Sequence, residues 1–355
     1  MKSSRKLIFS FLLFQIGCEN NSFNQSEYID PQIIFSSRRW WNYDIFITDI
    51  YGGHITQLTK NKWIDFNPSI SPDAKKLSFI SDRDGNREIY IVDLEWIDGY
   101  SQWRGNDLKN LTNSKENDWT PVFSPVENKI AYSTYFPEND NYDIFIMNDD
   151  GSEKENLTNT KKYEKFPQFS PDGSFIIYQG WQKGKMEIFF VGLLDRNNIN
   201  ITRNAMSNDI LSHGNSFSPD GQSIVFTSER DGNRNIYLMN INGSEIEQLT
   251  FHESDDYEPT YSPDGQSIVF TSERDGNKEI YIIFPQTKNL YNLTNSPKDD
   301  WNPRFYPDNQ KIVFQSTRDG NWEIYMMNLK GQNQINLTNN QSTDYSFIVL
   351  PLINP

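Results

Sequence analysis

A unit of about 44 residues repeats along most of this 355-residue chain. Successive copies begin 53, 46, 48, 44 and 44 residues apart, and each leads into the motif Ser-Pro-Asp-Gly or a variant of it. The opening residues of the copies are Asp65, Asp118, Glu164, Ser212, Asp256 and Asp300. A period of this length indicates a repeat architecture, because one copy cannot bury its apolar face alone and must pack against the next.

Each copy contains several short runs rich in Val, Ile, Phe and Tyr, in which apolar and polar residues alternate. Such alternation is typical of β-strands. Asp-Gly, Gly-Asn and Asn-Gly pairs separate the runs, and these residues tolerate the positive φ angles of tight hairpins. Four strands per copy, with no sustained helical periodicity, predict an all-β chain of four-stranded antiparallel propeller blades.

The two ends of the repeat array predict the number of blades. Residues 33–59 supply the last three strands of a blade but not the first. Residues 344–351 supply a first strand without the others, and Asp344 lies 44 residues after Asp300. Six whole blades and one assembled from both segments make seven, and this closure hides the edge strands of an open array. We therefore expect one seven-bladed propeller over residues 31–353.

The repeat resembles the TolB-type, WD-like propeller repeat of periplasmic proteins, and related repeats occur in prolyl-oligopeptidase-type enzymes. The residues that carry the resemblance are the Ser-Pro-Asp-Gly turn, the run Ile-Val-Phe-Thr-Ser, the Arg-Asp-Gly-Asn turn and the closing Leu-Thr. TolB carries an α/β domain before six blades, whereas about a dozen residues lie between Cys18 and the first strand here, so the resemblance concerns the propeller. It implies a fold rather than one activity, because propellers host many functions. No Gly-x-Ser-x-Gly motif accompanies it, and we do not expect peptidase activity.

The N-terminal segment is typical of a bacterial export signal. Basic residues at positions 2, 5 and 6 precede the apolar stretch 7–16, and Gly17 and Cys18 follow. The arrangement resembles a lipobox, although Gln15 stands where an aliphatic residue is preferred. We expect a signal over residues 1–18 with lipidation at Cys18, a polar tether over 19–30, and an exported, lipid-anchored protein. An ordinary cleaved signal or an uncleaved anchor is the alternative.

The charge balance excludes one class of partner. The chain has 48 acidic and 33 basic side chains, a formal net charge of −15. Nucleic-acid binding requires clustered Lys and Arg to neutralise phosphates, and no such cluster appears. We therefore expect no nucleic-acid partner.

Most copies open with an acidic residue, and the blade topology places these residues on one rim of the channel. The predicted acidic ring consists of Asp65, Asp118, Glu164, Asp256, Asp300 and Asp344. The same rim receives Arg38, Arg83, Arg230, Arg274 and Arg318. Two interpretations are open: the acids cap turns or pair with these arginines, or they form an electronegative funnel for a cation or a basic segment.

No pattern in the sequence predicts a cofactor or a metal. The Asp-Gly turns lack the twelve-residue spacing and flanking helices of an EF-hand, so a hard cation such as calcium at the acidic rim has no support from spacing. His54, His213 and His252 fall at three different blade positions. We likewise interpret the recurring Asn-Leu-Thr triplets as part of the repeat rather than as glycosylation sites.

The copies that open at Asp118, Glu164 and Ser212 depart most from the pattern. The first two lack the arginine of the Arg-Asp-Gly-Asn turn, and the third lacks the opening acid. We expect a recognition sector there, and the alternative is drift in loops that tolerate change. Its residues are Trp119, Tyr135, Phe136, Trp181 and His213.

These observations predict a non-catalytic, monomeric binding or scaffold propeller of the bacterial cell envelope. The expected partner is an envelope protein or a peptide segment at the channel rim, with membrane contact through the lipid anchor alone. The alternative is a lyase or hydrolase that acts on a saccharide with the rim carboxylates. No spacing selects a catalytic pair, so no catalytic residue is predicted.

Overall fold

The computed structural model describes residues 32–39, 41–97, 102–203, 208–210 and 216–350, without the side chains of Trp96 and Gln102. Cys18 and His213 lie outside these ranges, as do the expected signal and tether. Within them the chain forms 28 strands. No helix in the described part of the chain has the length and hydropathy needed to cross a membrane.

The strands form seven four-stranded antiparallel sheets, which confirms the predicted seven-bladed propeller. Blade 1 comprises Asp344–Val349, Gln32–Ser37, Asp44–Asp49 and Ile55–Gln57. Blade 2 comprises Asp65–Ile70, Lys76–Ser81, Glu88–Ile97 and Gln102–Asn110. Blade 3 comprises Asn117–Phe123, Lys129–Phe136, Asn141–Asn148 and Glu155–Asn156. Blade 4 comprises Glu164–Phe169, Phe175–Gln182, Lys185–Gly192 and Asn198–Asn200.

The last three blades follow the same order. Blade 5 comprises Asp209–Ile210, Ser223–Ser228, Asn235–Asn240 and Glu247–Gln248. Blade 6 comprises Asp256–Tyr261, Ile268–Ser272, Glu279–Phe284 and Asn289–Asn292. Blade 7 comprises Asp300–Phe305, Lys311–Ser316, Glu323–Asn328 and Ile335–Asn336. First strands of neighbouring blades contact one another, for example those of blades 1 and 2 or 6 and 7, so they surround the central channel.

The ring closes in blade 1, as the two partial repeats predicted. The first strand there comes from the C-terminal segment and pairs with the N-terminal one, with Phe35 opposite Phe347 and Ser37 opposite Asp344. The pairing converts two exposed strand edges into an internal ladder.

The core is divided into layers between blades, and aromatic residues fill much of each layer. One layer joins Ile280 and Ile282 of blade 6 to Phe314 and Tyr325 of blade 7. A ring pair from the second and third strands recurs from blade to blade, with centroids 5.8 Å apart for Phe314 and Tyr325. Because each aromatic residue buries a large apolar area, thin layers are filled although only 36% of the chain is hydrophobic.

A β-bulge interrupts the first strand of most blades. In blade 7 the register shifts between Trp301 and Arg304, and Asn302 has a φ of 55°. Bulges redirect side chains. Here the two residues after the buried Asp300 are both half-buried. The bulge thus leaves two successive side chains half-buried instead of one.

Candidate functional site

The six predicted rim acids open the first strands, but their side chains are not on the surface. Each residue is between 0% and 1% exposed. These residues are Asp65, Asp118, Glu164, Asp256, Asp300 and Asp344. Burying a carboxylate is costly unless it is paired and hydrogen-bonded, so the partners of each acid decide what the ring does.

In most blades the partner is the arginine of the second hairpin. Arg274 Nη2 lies 2.8 Å from Asp256 Oδ2, and Arg274 Nε donates to Ser272 Oγ at 2.8 Å. The guanidinium also lies over the Tyr281 ring, 4.5 Å from its centroid. Equivalent ion pairs are Arg83–Asp65, Arg230–Asp209 and Arg318–Asp300. This geometry fits the interpretation in which the acids pair with arginines, and it leaves little carboxylate surface for an electronegative funnel.

The sequence alignment assigned two positions wrongly, the opening residue of blade 5 and the paired arginine of blade 1. Asp209, and not Ser212, is the opening acid of blade 5, because Asp209 pairs with Ser228 as Asp256 pairs with Ser272. The sequence between Asp209 and the next turn is three residues longer than in other blades, which displaced the alignment.

In blade 1 the arginine is Arg39 instead of Arg38. Arg39 Nε donates to Ser37 Oγ at 3.1 Å, and its Nη2 lies 3.9 Å from Asp344 Oδ2. Arg38 is exposed. Counting two residues from the serine that ends the second strand identifies the correct arginine in every blade that has one.

Blades 3 and 4 lack this arginine, as predicted, and their acids form no ion pair within the described residues. Thr134 Oγ1 donates to Asp118 Oδ1 at 2.6 Å, and Ser114 Oγ donates to Oδ2 at 3.1 Å. Burial, followed by the charge of Glu88, raises the pKa of Asp118 to about 7. Burial likewise raises the pKa of Glu164 to about 7. Below about pH 7 a proton on each of these two carboxyls therefore takes the place of the missing cation.

The residues that do reach the channel mouth follow the acids. We call this set the collar. The third strand of each blade also has a buried polar residue near its start, which is an acid in six blades and Asn235 in blade 5. The collar combines the residue after each opening acid with the residue before each of these third-strand residues. A backbone hydrogen bond joins the opening acid of one blade to the second of these positions in the preceding blade, as from the N–H of Asp300 to the carbonyl of Lys278 at 2.8 Å. The collar consists of Phe66, Trp119, Lys165, Ile210, Tyr257, Trp301 and Tyr345, with Tyr43, Arg87, Tyr142, Met186, Arg234, Lys278 and Trp322.

Eight collar residues are aromatic and four are cationic, and all but Tyr142 are half-buried or exposed. The Arg87 guanidinium lies 3.9 Å from the Trp119 ring centroid, and Lys278 Nζ lies 4.8 Å from that of Trp301. These are cation–π contacts between neighbouring blades. The collar is thus aromatic and cationic in a chain of strongly negative net charge. The signal in the sequence was an aromatic residue directly after the acid in five of the seven blades.

The structure brings part of the predicted recognition sector together around Lys165. Its Nζ lies 3.6 Å from the ring centroid of Tyr142, 4.6 Å from that of Tyr163 and 5.6 Å from that of Trp119. Tyr135 packs on Tyr142 with centroids 4.7 Å apart. Sequence reasoning missed Lys165, Tyr142 and Tyr163.

Trp181 and Phe136, two further members of the predicted sector, make no ring contact with Lys165. Trp181 is 46% exposed, and its backbone N–H donates to the Tyr163 carbonyl at 2.8 Å. Phe136 packs toward Phe145, with centroids 6.2 Å apart. His213 lies outside the described residues.

A cleft of about 260 Å³ opens beside the collar between blades 5, 6 and 7. Its walls carry both charges and two aromatic rings. The lining residues are Ile210, Thr227, Arg234, Tyr257, Glu258, Glu273, Lys278 and Trp301. Tyr257 Oη donates to Glu273 Oε1 at 2.7 Å. The sequence contained no signal for this cleft, because its walls come from three blades.

The recurring turn motifs have structural roles. Asp275 of the Arg-Asp-Gly-Asn turn accepts hydrogen bonds from Tyr281 Oη and, at 2.8 Å, from Asn292 Nδ2. The Asn292 Oδ1 atom accepts from the backbone N–H of Thr294 at 3.0 Å. The Asn-Leu-Thr triplet therefore ties the fourth strand to the hairpin, as interpreted from its recurrence. In the described part of the chain no three His, Cys, Asp or Glu side chains are grouped as metal ligands.

Comparison with known proteins identifies related sequences and folds. The family description of the TolB beta propeller domain matches residues 98–260 and 255–350. A TolB homolog of Chlorobium luteolum is 27% identical over 168 residues, which cover 47% of this chain and 35% of that protein. The matched regions span 29% of the length of one curated relative and 35% of that of another.

Solved structures share the architecture at lower identity. TolB from Acinetobacter baumannii matches with a TM-score of 0.55 and 20% identity, over 92% of this chain and 68% of that one. An oligogalacturonate lyase in complex with manganese matches with a TM-score of 0.68 and 16% identity, over 84% of this chain and 86% of that one. At these identities the likeness shows the fold alone.

Proposed function

The chain belongs to the TolB beta propeller domain family, and from this membership we propose that it is a non-catalytic binding or scaffold protein of the bacterial cell envelope. Its partner is a protein or a peptide segment, and the partner docks on the collar at the channel mouth. The observation in the structure that supports docking at this place is the chemistry of the collar.

The collar has the composition of a protein-binding surface. Aromatic residues and arginine are enriched in protein interfaces, where they act as anchors. Trp119 and Trp301 stand on opposite arcs of the collar, each held by a cation from the preceding blade. Because these contacts fix the rings before a partner arrives, binding loses little side-chain entropy.

The alternative proposal, a lyase or hydrolase acting on a saccharide, requires carboxylates that reach a substrate. General acid–base catalysis needs hydrogen-bond contact with the reacting group. The rim carboxylates are buried, and they accept hydrogen bonds from arginine, serine and threonine side chains. No observation at the collar favours this alternative over binding.

Affinity purification of the full chain from detergent-solubilised membranes tests the proposal. We expect a partner in stoichiometric yield, and we expect Trp119→Ala and Trp301→Ala each to reduce its recovery at least about tenfold, as for an interface anchor. Tyr291→Ala is the matched control, because Tyr291 is an exposed aromatic residue on the outer strand of blade 6. Equal recovery by all three variants, with melting temperatures unchanged, would contradict docking at the collar.

The predicted recognition sector is a finer proposal about the same surface. Trp119, Tyr135 and Trp181 lie in blades 3 and 4, where Trp181 and Tyr163 are exposed. We propose that the partner contacts Trp119 of the collar and these neighbouring residues. Combined substitution of Trp119, Tyr135 and Trp181 by Ala should abolish recovery, and undiminished recovery would exclude this sector.

Export and lipid attachment at Cys18 are also proposed, together with a monomeric state. The support is the sequence of residues 1–18 and the family membership. Metabolic labelling with a radioactive fatty acid should label the wild-type chain and fail to label Cys18→Ser. Recovery of unlabelled wild-type protein in the soluble periplasmic fraction would contradict the anchor, and light scattering of the purified chain tests the monomer.

A further inference from the structure

We propose that the cleft between blades 5, 6 and 7 binds an acidic side chain of the segment that docks on the collar. This inference rests on the proposed function and names the chemistry of the ligand group. The binding atoms are Lys278 Nζ and the terminal nitrogens of Arg234, which both line the cleft.

Lys278 supplies a cation without a carboxylate partner. Its Nζ lies 4.8 Å from the Trp301 ring centroid and 5.7 Å from that of Tyr257, and it forms no ion pair with any described residue. Its backbone N–H donates to Asp299 Oδ1 at 3.1 Å, which fixes the residue in place. The ammonium is thus held in the cleft by two rings, with its hydrogen-bonding capacity available.

Arg234 supplies a second, partly committed cation. Its Nε lies 3.1 Å from Glu229 Oε1, and its backbone N–H donates to Asp255 Oδ1 at 3.0 Å. Its two terminal nitrogens make no hydrogen bond to another described residue. A guanidinium presents these nitrogens in a planar fork that suits a carboxylate.

The acids that line the cleft already have favourable partners within the protein. Glu273 accepts the Tyr257 hydroxyl at 2.7 Å. Burial lowers the pKa of the Arg304 guanidinium to about 10, and the charge of Glu258 opposes part of this shift. Glu258 therefore interacts favourably with Arg304. Two cations and two carboxylates therefore line the cleft, and its uncommitted charged donors are the Lys278 ammonium and the terminal nitrogens of Arg234. These donors favour a ligand group that accepts hydrogen bonds, and a carboxylate accepts the strongest ones.

The same contacts favour a peptide carboxylate over an acidic sugar. Sugar rings bind by stacking on an open aromatic face, whereas Lys278 already lies over the Trp301 and Tyr257 rings. An acidic side chain reaches the two cations from the channel mouth without displacing either ring. Apolar residues beside it in the same segment then contact the edges of the collar rings.

Binding of two short peptides by the full-length protein tests the inference. The probes are Ac-Ser-Trp-Glu-Trp-Ser-amide and its Gln counterpart, each titrated up to about 1 mM, the weak end of specific recognition. We expect the Glu peptide to bind about tenfold more tightly, since a charge-assisted hydrogen bond is stronger than a neutral one. The preference should fall as salt rises.

Charge-matched variants locate the effect. Lys278→Gln and Arg234→Gln should each remove most of the preference for Glu. Lys330→Gln is the control, because Lys330 is exposed in the turn between the third and fourth strands of blade 7, on the opposite rim. Retention of the preference in both cleft variants would overturn the assignment.

Other outcomes also overturn the assignment of the cleft, and none of them by itself contradicts docking on the collar. Equal binding of both peptides, or no binding of either, excludes an acidic anchor in this cleft. Binding of a trigalacturonate instead of either peptide assigns the cleft to a saccharide. In each case, partner recovery that depends on Trp119 and Trp301 would still support docking on the collar.

Discussion

Arg274 and Asp256 form a buried ion pair in which Arg274 Nη2 lies 2.8 Å from Asp256 Oδ2. The same guanidinium donates to Ser272 Oγ and covers the Tyr281 ring. One arginine therefore neutralises the carboxylate of the first strand, hydrogen-bonds the serine at the end of the second strand and packs on the aromatic ring of the third. This unit recurs around the ring. Most copies therefore open with an acid, but the acid is buried against an arginine and adds little negative charge to the rim surface.

Removing one partner of this pair should destabilise the propeller strongly. Asp256→Ala leaves the Arg274 guanidinium without its carboxylate, and breaking a buried pair costs about 3–5 kcal/mol. Chemical denaturation of the full chain measures the loss. Glu155→Ala is the control, because Glu155 pairs with Arg196 on the surface, where about 0–1 kcal/mol is expected. Similar losses in both variants would show that breaking the Arg274–Asp256 pair costs no more stability than breaking a surface ion pair.

Stability should fall as pH rises from about 4 to about 7. The pKa values of Asp118 and Glu164 are raised from 3.8 and 4.5 to about 7 in the folded protein. The folded state keeps these protons where the unfolded chain has lost them, so unfolding releases protons in this window. The free energy of unfolding then decreases by up to about 1.4 kcal/mol per pH unit for each group.

The variant Asp118→Asn/Glu164→Gln locates this pH dependence. Its free energy of unfolding should vary less with pH than that of the wild type between pH 4 and 7, because neither side chain can lose a proton. Urea denaturation at several pH values measures both slopes. Identical slopes would mean that the two acids keep ordinary pKa values in the folded protein.

Supplying the missing cation should have a related effect. Phe136 lies two residues after Thr134, as Arg83 lies two residues after Ser81, and Phe136 packs toward Phe145 where Arg83 covers Tyr90. Phe136→Arg should therefore place a guanidinium near Asp118 and lower the pKa of that carboxyl. The carboxyl resonance of Asp118, followed by NMR, should titrate at lower pH, while Phe136→Leu should leave it unchanged. A titration that is the same in all three proteins would rule out this geometry.

Ring closure should be essential for a monomeric, cooperative fold. Deleting residues 344–355 removes the first strand of blade 1 and exposes the edge of Gln32–Ser37. Unpaired strand edges promote association with other chains, so we expect aggregation or oligomers by light scattering. Deleting residues 351–355 alone is the control and should leave a monomer. A monomeric, normally stable product of the longer deletion would contradict the role of the closing strand.

Local features of the sequence were sufficient for the architecture. Strand alternation and hairpin residues act over a few neighbouring positions, and their period of about 44 residues can be counted along the chain. The split blade followed from the same count, since residues 33–59 and 344–351 each lacked what the other supplied. The missing arginine in the turns that follow the second strands of blades 3 and 4 was visible in the same way, because a turn motif is contiguous in the sequence.

Only the tertiary structure decided which side chains face the channel. Asp209 replaced Ser212 because strand pairing with Ser228, rather than distance along the chain, sets the register. The acids are buried because their partners come from another strand or the adjacent blade. The collar and the cleft likewise combine residues such as Lys278 and Trp301, which are distant in sequence and meet across a blade interface. A repeat pattern determines the form of each blade, but surface chemistry depends on how neighbouring blades pack.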